Sequence, residues 1–342
     1  MNIRCIVVMI ILLVALSSTV PCQTPQKHLD LPDEFIIEDI IMQDGGYHKA
    51  QKLGVEWWYF DANLNNNISV HIGLMILSIQ SRGLVLPAIN IYDHGKNVYH
   101  RREVCSFGTF AGSEEKPLIY FRNTPYINGT INAQTGIADY HVDLSFGEAA
   151  VSLHFNGTAR GWKTDSWAII MPKAVVSGMI FYNNQVFFVE GEGYHEHKWD
   201  MPITFASENK GDYWGRILSN NTSLVWTEIY PRLSEKRVLA VLNIGNDEYM
   251  KIEEDDFTLT VLEYEPGLFQ RIPSVFELKI HNDTIDYSAM MTSINYQHIQ
   301  FLTKQYWRYN VQILGEVKIQ GAVDELIDSK GIMDRTKFSL FQ

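Results

Sequence analysis

Apolar and polar positions along most of this chain alternate in short runs, with a period of two rather than 3.6. Runs rich in β-branched and aromatic residues cover Ser69–Ile79, Leu84–Tyr92, Ala138–Leu144, Ala150–Phe155, Ala174–Tyr182, Gln185–Val189, Leu224–Tyr230, Val238–Ile244, Thr258–Tyr264 and Tyr309–Ile319. Turn-prone residues separate them: Asn63 to Asn67, Asn128-Gly129, Asn156-Gly157, Asn183-Asn184, Gly245-Asn246-Asp247 and His281-Asn282-Asp283. Many short strands at this spacing predict an all-β protein built of antiparallel barrels or sandwiches. Helix-like patterning is confined to Leu31–Met42 and Ala322–Asp328. Pro202 and the polar run Ser207–Asp212 read as a linker or long loop, dividing the chain into domains of residues 30–205 and 206–342.

The first residues follow a different pattern. Arg4 precedes an apolar run, Ile6–Leu16, and the small or turn-prone residues Ser17, Ser18, Thr19, Pro21 and Cys22 come next. That order is the one a secretory signal uses, here over residues 1–22. An uncleaved anchor and lipidation at Cys22 are the alternatives, and membrane contact is expected only through one of them. A secreted or extracytoplasmic location follows. Six N-x-S/T sequons, at Asn67, Asn128, Asn156, Asn220, Asn221 and Asn282, are compatible with a glycosylated exported surface. Cleavage after Cys22 would leave Cys105 as the lone cysteine, with no internal disulfide.

Composition narrows the function. The 342 residues are 46% hydrophobic, which rules out intrinsic disorder. The net charge of −12 argues against nucleic acid as a partner, since that needs a basic surface. The chain has 8 Trp, 17 Tyr and 17 Phe, more rings than a cysteine-poor core obviously requires.

Two motifs concentrate those rings. In Glu56-Trp57-Trp58-Tyr59-Phe60, an extended backbone places Trp57 and Tyr59 on one face and Glu56, Trp58 and Phe60 on the other. A carboxyl beside large rings suits an apolar pocket wall; plain core packing is the competing reading. In Tyr194-His195-Glu196-His197-Lys198-Trp199-Asp200, the residues His195, His197 and Trp199 share one face. Two imidazoles and an indole on one wall can hold a proton near neutral pH. His-x-His is also metal-ligand spacing, yet no third ligand is tied to it, and no metal or other cofactor is expected. Nucleotide fingerprints, a P-loop and a nucleophile elbow are missing from the sequence.

Together the two motifs resemble the EWWYF opening and the Y-H-D-H-x-W segment of the hydroxyneurosporene synthase or carotenoid 1,2-hydratase-like group. This group is also called the AttH-like family, and its relatives include fungal hydratases and pericyclases. The resemblance implies two lipocalin-like β domains and a site between or within them for a long apolar substrate, often isoprenoid or polyketide; for this chain an isoprenoid or lipid-like small molecule is expected. It implies that an acid protonates an alkene and water adds to the cation. The family's D-H-x-W corresponds to Glu196-His197-Lys198-Trp199. Its downstream Tyr-x-Asp corresponds to Trp226-Thr227-Glu228, a departure at both ends, and Asp200 stands where many members have Gly. Glu228, His197 and Trp226 are therefore the expected catalytic residues. Glu56, Trp57, Trp58, Tyr59, Tyr194, His195 and Trp199 are the expected substrate-binding residues.

Three functions compete at this level. The first is an exported lyase or isomerase acting by acid catalysis. The second is a non-catalytic carrier of lipids or other apolar small molecules, favoured by the departures at Glu228 and Asp200. The third is a surface-interaction protein with no enclosed site.

Overall fold

A computed structural model describes residues 35–49, 53–79, 82–202, 205–267, 270–301 and 304–338. The expected signal over residues 1–22 lies outside the described residues.

Alternation of buried and exposed positions makes strands such as Ala138–Ser145 two-faced, while Gly54–Leu64, Thr222–Pro231 and Arg237–Ile244 are buried or half-buried at every position; together they form two curled antiparallel sheets. In the first, the strand Gly54–Leu64 pairs on one side with Ile68–Ile79 and on the other with Gln185–Pro202. From Gln185–Pro202 the sheet continues through Trp167–Tyr182, Ala149–Gly157, Ala138–Ser145 and Thr124–Ile131. The second sheet repeats the plan. Its opening strand Asn209–Leu218 lies between Thr222–Pro231 and the last strand, Val323–Phe338. In both sheets the first long strand is therefore zipped to the last, and the meander between them curls into a lipocalin-like half-barrel. The protein is all-β, as the alternation predicts.

Each sheet wraps its own apolar core. Trp58, Phe60, Ile72, Tyr140, Phe155 and Trp199 belong to the first. Trp226, Phe276, Tyr287, Trp307 and Tyr309 belong to the second. A third cluster joins the backs of the two sheets: Tyr59, Trp167 and Tyr194 meet Trp214, Val225, Leu239 and Ile332. Both sheets belong to one compact unit that starts at Phe35. Across the seam the fully buried Arg216 guanidinium pairs with the fully buried Asp61 carboxylate.

The local readings hold for the ten strand runs and fail at five places; one is Asn156-Gly157, which is no turn but the paired end of the strand Ala149–Gly157. Within Leu31–Met42, the described part holds the short strand Glu38–Asp39 and a 3-10 turn beginning at Met42, with no α-helix. Ala322–Asp328 is not helical either: Val323 to Asp328 continue a hairpin, with Val323 opposite Ile319 and Ile327 opposite Gly315. There the register with a long neighbour outweighs weak local helix propensity. The run Ser207–Asp212 is no linker, because Phe205–Glu208 forms one helical turn and Asn209 already starts a strand. Asn128-Gly129 is no turn; it lies inside the strand Thr124–Ile131. A Cβ on Gly129 would sit 2.5 Å from Tyr140 Cδ2, so the missing side chain makes room for a ring rather than for a bend.

Candidate functional site

Period-two alternation is obeyed at both motifs. Trp58 pairs with His197, and Phe60 with His195, across the two central strands of the first sheet. Glu56, Trp58, Phe60, His195, His197 and Trp199 consequently share the inward face. Trp57, Tyr59, Tyr194 and Glu196 turn toward the seam with the second sheet.

The inward group is built around one couple. Glu56 Oε1 lies 3.0 Å from His197 Nε2, with both side chains buried. The same oxygen accepts the backbone N–H of His48 at 2.9 Å. His197 Nδ1 is 2.6 Å from the Asp44 carbonyl, which can only accept, so Nδ1 carries the hydrogen and Nε2 is free to receive one. Burial pushes the Glu56 carboxyl up to about 8, against the lowering effects of the His48 backbone bond and the His48 ring. Burial pushes His197 down to about 4 and His48 to about 4. At neutral pH the proton therefore rests on Glu56 and points at a neutral imidazole. Rings enclose the couple: Trp58 stacks on His197 at 4.5 Å, and His48 stacks on Trp199 at 3.9 Å. His48 is half-buried, and its Nε2 has no hydrogen-bond partner.

His195 is deeper and lies flat on Phe60, with ring centres 3.7 Å apart. Its Nδ1 donates to the Tyr59 carbonyl at 2.9 Å, leaving a buried, unpartnered Nε2. Burial pushes this imidazole down to about 3. Tyr140 packs beside it at 4.9 Å, and its hydroxyl is likewise buried and unpartnered.

The seam face is a closed polar knot. Glu196 accepts from Tyr194 Oη at 2.7 Å, from Trp167 Nε1 at 2.9 Å and more loosely from Trp57 Nε1 at 3.5 Å. The Lys198 ammonium sits over the Trp167 and Trp57 rings at 4.5 and 5.4 Å. Arg308 lies over Tyr59, whose hydroxyl has no partner.

The expected site residues thus fall into three places. Glu56, Trp58, His195, His197 and Trp199 come together in the first core. Trp57, Tyr59 and Tyr194 face the seam. Trp226 and Glu228 belong to the second half-barrel, on the strand Thr222–Pro231, and are not brought to His197. Both Glu228 oxygens are engaged, one by Tyr230 Oη at 2.8 Å and the other by the Lys236 ammonium. Asp44 and His48 complete the couple, although neither stood out in the sequence. They come from an irregular segment that carries no periodicity; the Gly45-Gly46 pair between them was the one local hint of a special turn.

Fold and site define a class: a two-half-barrel, lipocalin-like protein with a carboxyl–imidazole couple in an aromatic core. The fold is shared with solved proteins. AttH from Nitrosomonas europaea superposes with a TM-score of 0.62 at 14% identity, over 93% of this chain and 99% of that one. CghA gives 0.59 at 11% identity, over 84% and 89%. Kievitone hydratase from Nectria haematococca gives 0.55 at 9% identity, over 88% and 93%. These neighbours match the AttH-like resemblance carried by the two motifs. No family model and no curated protein matches the chain by sequence. One departure also gains a physical meaning: Asp200 has φ of 51°, in the left-handed region where glycine is most at ease.

Proposed function

We propose that this protein is an exported, cofactor-free enzyme of the hydratase or isomerase type, acting by acid catalysis on an isoprenoid or lipid-like substrate. The observation that carries the reading is the Glu56 carboxyl, held protonated by burial 3.0 Å from His197 Nε2. The hydratase among the fold neighbours supports the reaction class. In this reading Glu56 gives its proton to an alkene carbon, and the faces of Trp58 and Trp199 stabilise the resulting cation. Water then adds to the cation, and the proton it releases returns through His197 Nε2 to Glu56. Loss of a neighbouring proton to Glu56 instead yields the isomer. Glu56 takes the acid role that the motif resemblance assigns to Glu228.

The test is to incubate the protein with isoprenoid and polyene extracts and follow product mass. A new product that disappears in Glu56→Gln and His197→Ala supports the proposal. Undiminished turnover in both variants overturns it.

A non-catalytic carrier is the second reading. It is favoured by the pairing of Glu228 with Lys236 and Tyr230, which ties up the family's acid position. Native mass spectrometry of freshly purified protein tests it: a tightly held, unmodified lipid supports carriage.

A further inference from the structure

The outward face of the first sheet carries a donor cluster separate from the Glu56–His197 couple. Asp139 and His141 are two residues apart on the strand Ala138–Ser145, so their side chains leave the same face. His154, on Ala149–Gly157, stands directly opposite His141 in the register. His154 Nε2 is 2.7 Å from Asp139 Oδ2, and the two imidazoles lie parallel, 4.3 Å apart and 6° from coplanar. One donor atom from each of the three residues lies within 4.8 Å of the other two. Ligand atoms on a tetrahedral zinc ion sit about 3.4 Å from one another, given bonds of about 2.1 Å, so small side-chain rotations suffice to close the set.

The surroundings favour a cation. The residues that register places beside the cluster are Asn128 and Ser177 in the histidine row, and Thr130 and Asn156 in the Asp139 row. None of them is basic, so no cation at those positions competes for Asp139. Asp143, two residues beyond His141 on the same face, adds a further negative charge. An ordinary surface ion pair accounts for His154 with Asp139. It leaves His141 stacked against another imidazole without a hydrogen bond of its own among the described residues. A cleft of about 420 Å³ opens beside Asp139, lined by Thr130, Thr135 and Asn156 among others; neither histidine lines it.

We propose that Asp139, His141 and His154 bind one divalent transition-metal ion of the zinc type. Two imidazoles and one carboxylate suit Zn²⁺, Ni²⁺ or Cu²⁺ rather than Ca²⁺ or Mg²⁺, which prefer all-oxygen cages. Three protein ligands leave at least one position for exchangeable ligands. The rigid two-strand platform holds all three side chains before the ion arrives, which lowers the ordering cost of binding.

The experiment is a calorimetric titration of the full chain with zinc chloride, repeated with cobalt chloride while following visible absorption. One ion per chain is expected, with a cobalt band typical of nitrogen and oxygen ligands. His141→Ala and His154→Ala should each weaken binding by about tenfold or more, and Asp139→Asn should weaken it less. His281→Ala, on an exposed histidine elsewhere, should leave it unchanged. Far-UV circular dichroism of each variant separates loss of ligand from loss of fold. No zinc binding by the wild-type chain, or binding equally tight in both cluster histidine variants, would falsify the site.

Discussion

Glu56 Oε1 and His197 Nε2 are 3.0 Å apart, and the far nitrogen of the same imidazole is committed to the Asp44 carbonyl at 2.6 Å. That second bond fixes the tautomer. With Nδ1 protonated, Nε2 can only accept, so the neutral couple needs its proton on the carboxyl. A Glu–His contact that would be an ion pair at the surface becomes, through burial, a stored acid.

Replacing Glu56 by Gln keeps the shape and the hydrogen bond to His48 but removes the transferable proton. Turnover should fall by about a hundredfold or more, the usual scale for loss of a general acid. In the wild-type protein the rate should decline as pH rises through about 8, where Glu56 ionises. A pH–rate profile with no alkaline limb in that range would count against Glu56.

Stability should be dome-shaped in pH. His48, His195 and His197 sit at about 4, 3 and 4 in the folded chain, below the ordinary 6.5. Between those values the unfolded chain binds more protons, so stability rises with pH up to about 6.5. Glu56 has the opposite sign. Its folded value of about 8 lies above 4.5, so its contribution is full below 4.5 and is lost as pH rises toward 8. Above 6.5 the Glu56 slope stands alone among these four groups. Urea midpoints measured from pH 4 to 9 should therefore peak near 6 to 7, and Glu56→Gln should flatten the alkaline side.

Asp61 and Arg216 join the two sheets with no solvent contact at either side chain. Asp61→Ala leaves an uncompensated guanidinium in the seam and should cost about 3–5 kcal/mol. Adding Arg216→Met to that variant should recover part of the loss, because the orphaned charge is gone. Chemical denaturation of the two single variants and the double variant checks this; strict additivity of the two losses would argue against a coupled pair.

Glu228→Gln discriminates between the two acid positions. It breaks the pairing with Lys236 at a buried carboxylate and should destabilise the second half-barrel by about 1–3 kcal/mol. Its turnover should match wild type when assayed well below the unfolding midpoint. A specific loss of turnover, with stability kept, would move the acid role to Glu228.

Asp200→Gly relieves a left-handed backbone position and should add up to about 1 kcal/mol of stability. The Asp200 charge also helps to raise Glu56. Its removal should therefore shift the alkaline limb of the rate profile to lower pH, a shift that relief of backbone strain alone would not produce.

The sequence by itself determined ten strand runs and the faces of the two motifs, because side chains on an extended chain must alternate. Glu56, Trp58 and Phe60 were bound to share a side, as were His195, His197 and Trp199, wherever the strands lay. It could not say which side faces a core and which a seam, since both are apolar enough to be buried. Only the tertiary structure decided that Glu56 meets a histidine 141 positions away. The same holds for His48, which arrives from an irregular segment, and for Trp226 and Glu228, which lie in the other half-barrel. Strand pairing between residues far apart in sequence sets those neighbours, and no local pattern encodes a register between the first strand of a sheet and its last.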